Sequence, residues 1–199
     1  MSPEANLAMN RIETAHWVSH VALLSMNRYR SLLQDKVAFD AIFPGVDFTN
    51  PKITHAVDDH GVLLETSKKE LLTEENYNLF KAWQIVLAII GMSSILECYQ
   101  KDVIEKQTGR AYNKMGIFDS FPAETSIQVS EFPRFDRLNH YHKLRNISVH
   151  RLGKIDEKFR KKTGGLDLLD GPYTYCPQQI SEYRELIIEF VRFVELRRV

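Results

Sequence analysis

Within the 199-residue chain, the stretch Leu144-Arg145-Asn146-Ile147-Ser148-Val149-His150-Arg151 holds the side-chain types best suited to chemistry. His150 supplies an imidazole, the side-chain type whose ordinary pKa suits proton transfer near neutral pH. Arg145 brings a permanent positive charge and a planar fork of donors. Its spacing from Leu138, His142 and Val149 puts it on an apolar stripe, where a guanidinium is costly unless it is paired or faces a wet cleft. Asn146 and His150 are four residues apart and share a helical face, with His142 a turn further back. At 100° per residue, Arg145 and His150 stand about 140° apart around a regular helix. Bringing both to one substrate is easier across an interface between two copies, or at a bent helix end.

Four helices must position these groups. Ser2-Pro3-Glu4 reads as a helix start, with a capping hydroxyl, proline in the first turn and an acid near the positive dipole end. Ala8, Ile12, Ala15, Ser19, Ala22, Met26, Tyr29 and Leu33 then mark one face of a helix over about residues 3–38. Trp17, Val21, Leu24 and Leu32 form a second apolar face, which predicts packing on more than one partner. Turn signals at Pro44-Gly45, Asn50-Pro51 and Asp59-His60-Gly61 make 39–72 a long irregular connection with one short helix. Thr73-Glu74-Glu75 opens the next helix, whose core stripe is Ile85, Ile89, Met92, Leu96, Tyr99 and Val103 and which runs to about Gln107. Gly91 inside it costs about 1 kcal/mol relative to alanine and suggests close approach of another helix. Residues 109–133 read as a loop. A third helix carries Phe135, Leu138, His142, Arg145 and Val149 and stops around Gly153. A small hairpin over Leu168–Cys176, turning at Asp170-Gly171, precedes a last helix with Ile180, Tyr183, Ile187, Phe190 and Val194 on one face. The expectation is a single all-α domain over residues 1–199, a four-to-five-helix up-and-down bundle.

Arg145-Asn146 followed by His150 resembles the signature of the HEPN superfamily (higher eukaryotes and prokaryotes nucleotide-binding). That signature is an Arg, four to six residues and a His, commonly with Asn directly after the Arg. Gly153-x-Ile155-Asp156-x-x-Phe159, the closing amphipathic helix and Ile95-Leu96-Glu97-Cys98-Tyr99 also look like the family's surrounding pattern, so the resemblance is best over 75–197. By composition alone the Arg-x4-His spacing arises about 0.5 times per chain of this kind; adding the Asn reduces that to about 0.02, so the Asn carries the specificity. The resemblance implies a metal-independent endoribonuclease without a cofactor, in which the RNA's own 2′-OH attacks the adjacent phosphate. His150 would act as general base or acid, Arg145 would hold the phosphate and its growing charge, and Asn146 would orient His150 or bond the phosphate. It further implies a cleft shared by two protomers of a homodimer, and products with a 2′,3′-cyclic phosphate and a 5′-hydroxyl. A role as a toxin or phage-defence effector, with an antitoxin or regulatory protein as partner, belongs to the same implication. The alternative is a catalytically inactive HEPN module that binds nucleotides, RNA or a protein. Leu152 stands where one branch of the family has a modifiable tyrosine, which departs from that branch's means of control.

The net charge of zero, from 26 basic and 26 acidic residues, excludes a general polycation, and 44% hydrophobic residues exclude general disorder. The zero is a cancellation. Residues 134–163 hold ten Lys and Arg against three acids, hence +7, and the rest of the chain is −7. Arg151, Lys154, Lys158, Arg160, Lys161 and Lys162 are the candidate RNA-binding cations of that segment. A solvated charged face is the competing reading, and it is favoured for Arg160-Lys161-Lys162 taken alone. Glu97 and His142 are candidate supporting residues. Glu97 either orients Arg145 or pairs with Lys101 one turn on. His16 and His20 have a metal-binding spacing but no evident third ligand, so no metal is expected. Core packing or exposure suits His140. Tyr112, Tyr173 and Tyr175 could stack bases, although ordinary packing is the simpler role. The longest uncharged apolar stretch, Ile85–Ser94, is short for a bilayer span, and the opening residues lack the apolar core of a signal peptide. Cys98 and Cys176 need not pair. These features give the expectation of a cytoplasmic protein without a membrane partner.

Overall fold

A computed structural model describes residues 1–42, 47–49, 52–56, 63–67, 73–112, 116–151, 154–155, 171–172 and 175–198. Of these, residues 32–33, 42, 52–56, 63–67, 149–151, 154–155 and 171–172 are described by their backbone. The architecture is all-α in class, with six helices among the described residues: α1 Pro3–Gln34, α2 Lys36–Ile42, α3 Glu74–Thr108, α4 Ile117–Thr125, α5 Phe135–Arg151 and α6 Gln178–Glu195. The expected capping residues do cap. Ala5 N–H donates to Ser2 Oγ at 3.2 Å, and Asn76 N–H donates to Thr73 Oγ1 at 3.3 Å. The expected first helix to residue 38 breaks instead at Asp35. Its carboxylate accepts the N–H groups of Val37 at 2.9 Å and Ala38 at 3.2 Å, which starts α2.

Three further expectations are corrected. The supposedly irregular 39–72 connection contains an antiparallel pair, β1 Lys52–Ala56 with β2 Leu63–Ser67, in the register Lys52↔Ser67 to Ala56↔Leu63. The supposed loop 109–133 contains α4 and a 3₁₀ turn, Val129–Glu131. Ile117, Phe118, Phe121 and Thr125 are its buried, helically spaced residues. Gly116 before it and Pro122 within it disguise that periodicity, and α4 ends on Ser126 in the left-handed region at φ 60°. Finally, β4 Gly171–Pro172 pairs with β3 Lys154–Ile155, so Gly171 sits in a strand and not in the turn of a local hairpin. Residues 168–170 and 173–174 of the predicted hairpin lie outside the described residues.

The chain divides into two compact units, residues 20–84 and residues 1–19 with 85–199, and both divisions fall inside α1 and α3. In the smaller unit, Arg30 pairs with Glu74 at 2.6 Å and lies 4.3 Å over the Tyr77 ring, while Phe39 meets Phe48 edge-on. In the larger unit the whole predicted α3 stripe (Ile85, Ile89, Met92, Leu96, Tyr99 and Val103) is buried, as are Ile180, Tyr183, Ile187, Phe190 and Val194 of α6. Each such side chain contributes about 1.5–3 kcal/mol on removal from water. Phe132 meets Phe190 and Phe193 with ring centroids 5.5 Å apart in both pairs. By length and composition α3 could span a bilayer, since one 18-residue window has mean hydropathy 1.8; its buried stripe packs inside the helical unit. Of the second apolar face predicted for α1, the described side chains Trp17, Val21 and Leu24 are exposed, and that of Leu32 lies outside the described residues.

A polar clasp joins the first turn of α1 to the last turn of α6. Glu195 accepts the Ser2 backbone N–H at 2.6 Å, the Tyr99 hydroxyl at 2.9 Å and Arg198 Nη1 at 2.9 Å. Burial alone would raise the Glu195 carboxyl, yet these three donors outweigh it and hold it down to about 2. A depressed carboxyl stabilises the fold above its unfolded value of 4.5, and that contribution is lost as the pH falls through about 2.

Two predictions follow from these local environments. Glu195→Gln should lower the unfolding free energy in urea by about 2–3 kcal/mol at neutral pH, with the deficit shrinking as acid is added below about pH 4.5; a deficit independent of pH would refute the clasp. Gly91, expected to mark a close approach, has nothing within 4 Å of a Cβ built on it among the described residues. Gly91→Ala should therefore raise the thermal midpoint, with a gain of about 0.5–1 kcal/mol.

Candidate functional site

The site is built one helical turn away from an aromatic node. Tyr141 of α5 stacks on Tyr183 of α6 with ring centroids 4.5 Å apart and planes at 14°. The Tyr183 hydroxyl shares a 2.8 Å hydrogen bond with Ser93 Oγ of α3. Burial pushes the Tyr183 phenol well above its ordinary range, so it stays neutral. Four residues on from Ser93 is Glu97, and four on from Tyr141 is Arg145. The same turn on two packed helices brings the carboxylate and guanidinium together, with Arg145 Nη2 donating to Glu97 Oε2 at 3.5 Å. Of the two readings of Glu97, the structure favours the Arg145 partner; Lys101 instead pairs with Glu105 at 3.7 Å.

Arg145 does not stand in the middle of the buried face. The residues α5 buries are Leu138, His140, Tyr141, Leu144, Ile147 and Ser148, so the core face is rotated from the predicted stripe and Arg145 and His142 lie at its edge. The Arg145 side chain is 23% exposed and that of Glu97 30%. Arg145 Nη1 donates to Asn146 Oδ1 at 2.9 Å, while its Nε is buried with no hydrogen-bond partner among the described residues. Asn146 Nδ2 lies 3.4 Å from His142 Nε2. The His142 ring stacks on Phe118 of α4, with centroids 4.5 Å apart. Burial pushes the His142 imidazole below its ordinary pKa, partly opposed by the nearby Asp119 carboxylate and assisted by the Arg145 and Lys143 charges. Glu97, Arg145, Asn146 and His142 thus form one polar chain.

No family model, curated protein or solved structure matches the chain. α5 is helical through His150 to Arg151, and on a regular helix the Arg145 and His150 positions stand about 140° apart. The side chains of His150, Arg151 and Lys154 lie outside the described residues, as do residues Lys158, Arg160, Lys161 and Lys162 altogether.

Part of the +7 segment is already committed. Arg134 holds both Glu189 carboxylate oxygens at 3.0 and 3.1 Å, and Arg137 holds Glu182 at 2.5 and 2.8 Å. Tyr112 is buried and bonded to Ser120, and the Tyr175 hydroxyl meets Ser148 Oγ at 2.6 Å, so both serve packing; Tyr173 lies outside the described residues. His140 is buried edge-on against Tyr141. His16 Nε2 is 3.2 Å from Ser181 Oγ, and among the described residues no group of three His, Cys, Asp or Glu could hold a metal. Cys98 and Cys176 are exposed free thiols. Sequence reasoning missed Phe118, Asp119, Ser93 and Tyr183 as neighbours of the site. The first two were hidden by reading α4 as loop. Tyr183 reads as an ordinary stripe residue and Ser93 lies off the predicted stripe, so only the helix pairing reveals their contact.

The geometry separates support from function. Tyr183→Phe removes a buried hydrogen bond and should cost about 1–2 kcal/mol in a denaturant titration. Glu97→Gln should cost under about 1 kcal/mol, because its partly solvated pair contributes little to stability. A reversal of that order would mean that the Glu97–Arg145 pair is a structural strut.

Proposed function

We propose that this chain is a HEPN-like, metal-independent endoribonuclease that works as a homodimer. The observation that carries the reading is Arg145. Its side chain is 23% exposed, and its guanidinium is aimed by Asn146 Oδ1 at 2.9 Å and by Glu97 at 3.5 Å. A donor fork fixed at the rim of a core and only partly satisfied among the described residues suits a phosphate oxygen better than it suits a structural ion pair. Arg145 would hold the scissile phosphate and stabilise the charge growing on its oxygens. His150 would take the proton from the attacking 2′-OH or return one to the departing 5′-oxygen. RNA supplies its own nucleophile, so the reaction needs no metal-bound water.

The continuous helix supports the homodimer. With Arg145 and His150 positions 140° apart on α5, a cleft formed by two copies lets one protomer supply the phosphate grip and the other the imidazole. The same divergence favours a second reading if the chain is monomeric, in which Arg145 alone serves a phosphate-binding module without catalysis. A toxin or defence role, with an antitoxin or other regulatory protein, extends the ribonuclease reading by family resemblance.

RNA cleavage in excess chelator tests both. Wild type should release 2′,3′-cyclic phosphate and 5′-hydroxyl ends, and Arg145→Ala and His150→Ala should each lower the rate at least about 100-fold with dimer mass retained. Mixing the two inactive variants should restore about a quarter of wild-type activity, since half the reassorted dimers carry one intact composite site. No restoration would place both groups in one protomer's site. Activity that returns only with divalent metal would overturn the mechanism, and an inactive wild type that binds RNA would favour the phosphate-binding module.

A further inference from the structure

We propose that His142 is a positioning residue that sets the aim of the Arg145 guanidinium through the Asn146 amide. Phosphate binding at Arg145 is thereby tied to the protonation of an imidazole outside the Arg145–His150 pair. The inference deepens the ribonuclease reading and rests on it for the role of Arg145. Its geometry stands without that role.

A guanidinium only donates, so the Asn146 atom 2.9 Å from Arg145 Nη1 must be Oδ1. That fixes the amide, and its Nδ2 faces His142 Nε2 at 3.4 Å. An amide NH2 also only donates, so His142 Nε2 must be the bare, accepting nitrogen. Neutral His142, with its proton on Nδ1, therefore holds Asn146 with its oxygen turned toward Arg145. When His142 takes a second proton, Nε2 becomes a donor and confronts another donor. Rotation of the amide would satisfy Nε2–H with Oδ1 but turn Nδ2 on the guanidinium, and Arg145 would lose one of its two anchors. The remaining Glu97 contact, at 3.5 Å, is the longer of the two.

The surroundings keep the neutral state in place at neutral pH. Phe118 covers one face of the ring, so reorientation of His142 requires unstacking. Among the described residues, the charged groups acting on it are Asp119 from α4 and Arg145 and Lys143 from its own helix. The two cations and the burial oppose protonation, and Asp119 favours it. The balance leaves the relay set at neutral pH and released only by acid below the ordinary histidine range.

The test uses the whole chain and a 2′-O-methyl oligouridylate, a phosphodiester that cannot be cut and whose bases do not protonate over the titration. Histidine ¹⁵N NMR of the free protein should show neutral His142 protonated on Nδ1, and the Arg145 Nε–H signal should shift with the His142 titration. Oligonucleotide affinity should fall about tenfold more in wild type than in His142→Gln between about pH 8 and pH 4.5, because Gln keeps an acceptor for Asn146 and does not titrate. Other titrating groups, His150 included, are common to both proteins and cancel. A proton on Nε2 at neutral pH, or identical pH profiles for the two proteins, would overturn the relay. If His142→Gln does not fold, the tautomer and the Arg145 response decide alone. Absence of binding at every pH with that response intact would support the relay while removing the ribonuclease reading.

Discussion

The stacked pair Tyr141–Tyr183, tied to Ser93 through the Tyr183 hydroxyl, is the contact on which the site depends. It joins α5, α6 and α3 at one level. Because helical side chains repeat after about four residues, fixing those three residues also fixes what stands one turn further along α3 and α5. Glu97 and Arg145 meet for that reason. The hydroxyls are satisfied within the same cluster, Tyr183 by Ser93 and Tyr141 by the Glu182 carboxylate at 2.7 Å. A buried phenol left without a partner would cost about 1–3 kcal/mol, so the polar bonds select this packing over a shifted register of the same helices.

What was legible in the sequence followed period and capping chemistry. The α3 and α6 stripes were readable because both helices are long and bury one continuous face. Ser2 and Thr73 were readable because a capping hydroxyl acts on its own first turn. Short elements were not: α4 has only nine residues and includes a proline, and the β1–β2 pair lies in a stretch dominated by turn residues. Asp35 ended α1 without interrupting its apolar spacing, which a count of hydrophobic positions cannot register. The absent packing around Gly91 and Trp17 likewise depends on which neighbours arrive, a property of tertiary arrangement and not of local pattern.

For the site, residue type and spacing marked Arg145, Asn146 and His150 with His142 in support; the structure links Arg145, Asn146 and His142 in one chain of hydrogen bonds, and the His150 side chain lies outside the described residues. The role of Glu97 was balanced between two partners in sequence, since an i+4 lysine is always within reach on a helix. Only the packing of α5 on its neighbours resolves it. Phe118 entered through an element that the sequence concealed, and it is the residue that restrains His142.

The pairing of Arg134 with Glu189 and of Arg137 with Glu182 also bears on how a polyanion would meet this surface. Arg134 and Arg137 each engage both oxygens of a carboxylate and cannot neutralise a phosphate without first giving up that partner, whereas Arg145 keeps Glu97 by a single 3.5 Å contact. Displacing the counterions condensed along a nucleic acid therefore falls to at most eight of the ten basic residues in the 134–163 segment. Any association with a nucleic acid would then depend on ionic strength less steeply than the formal charge of the segment implies.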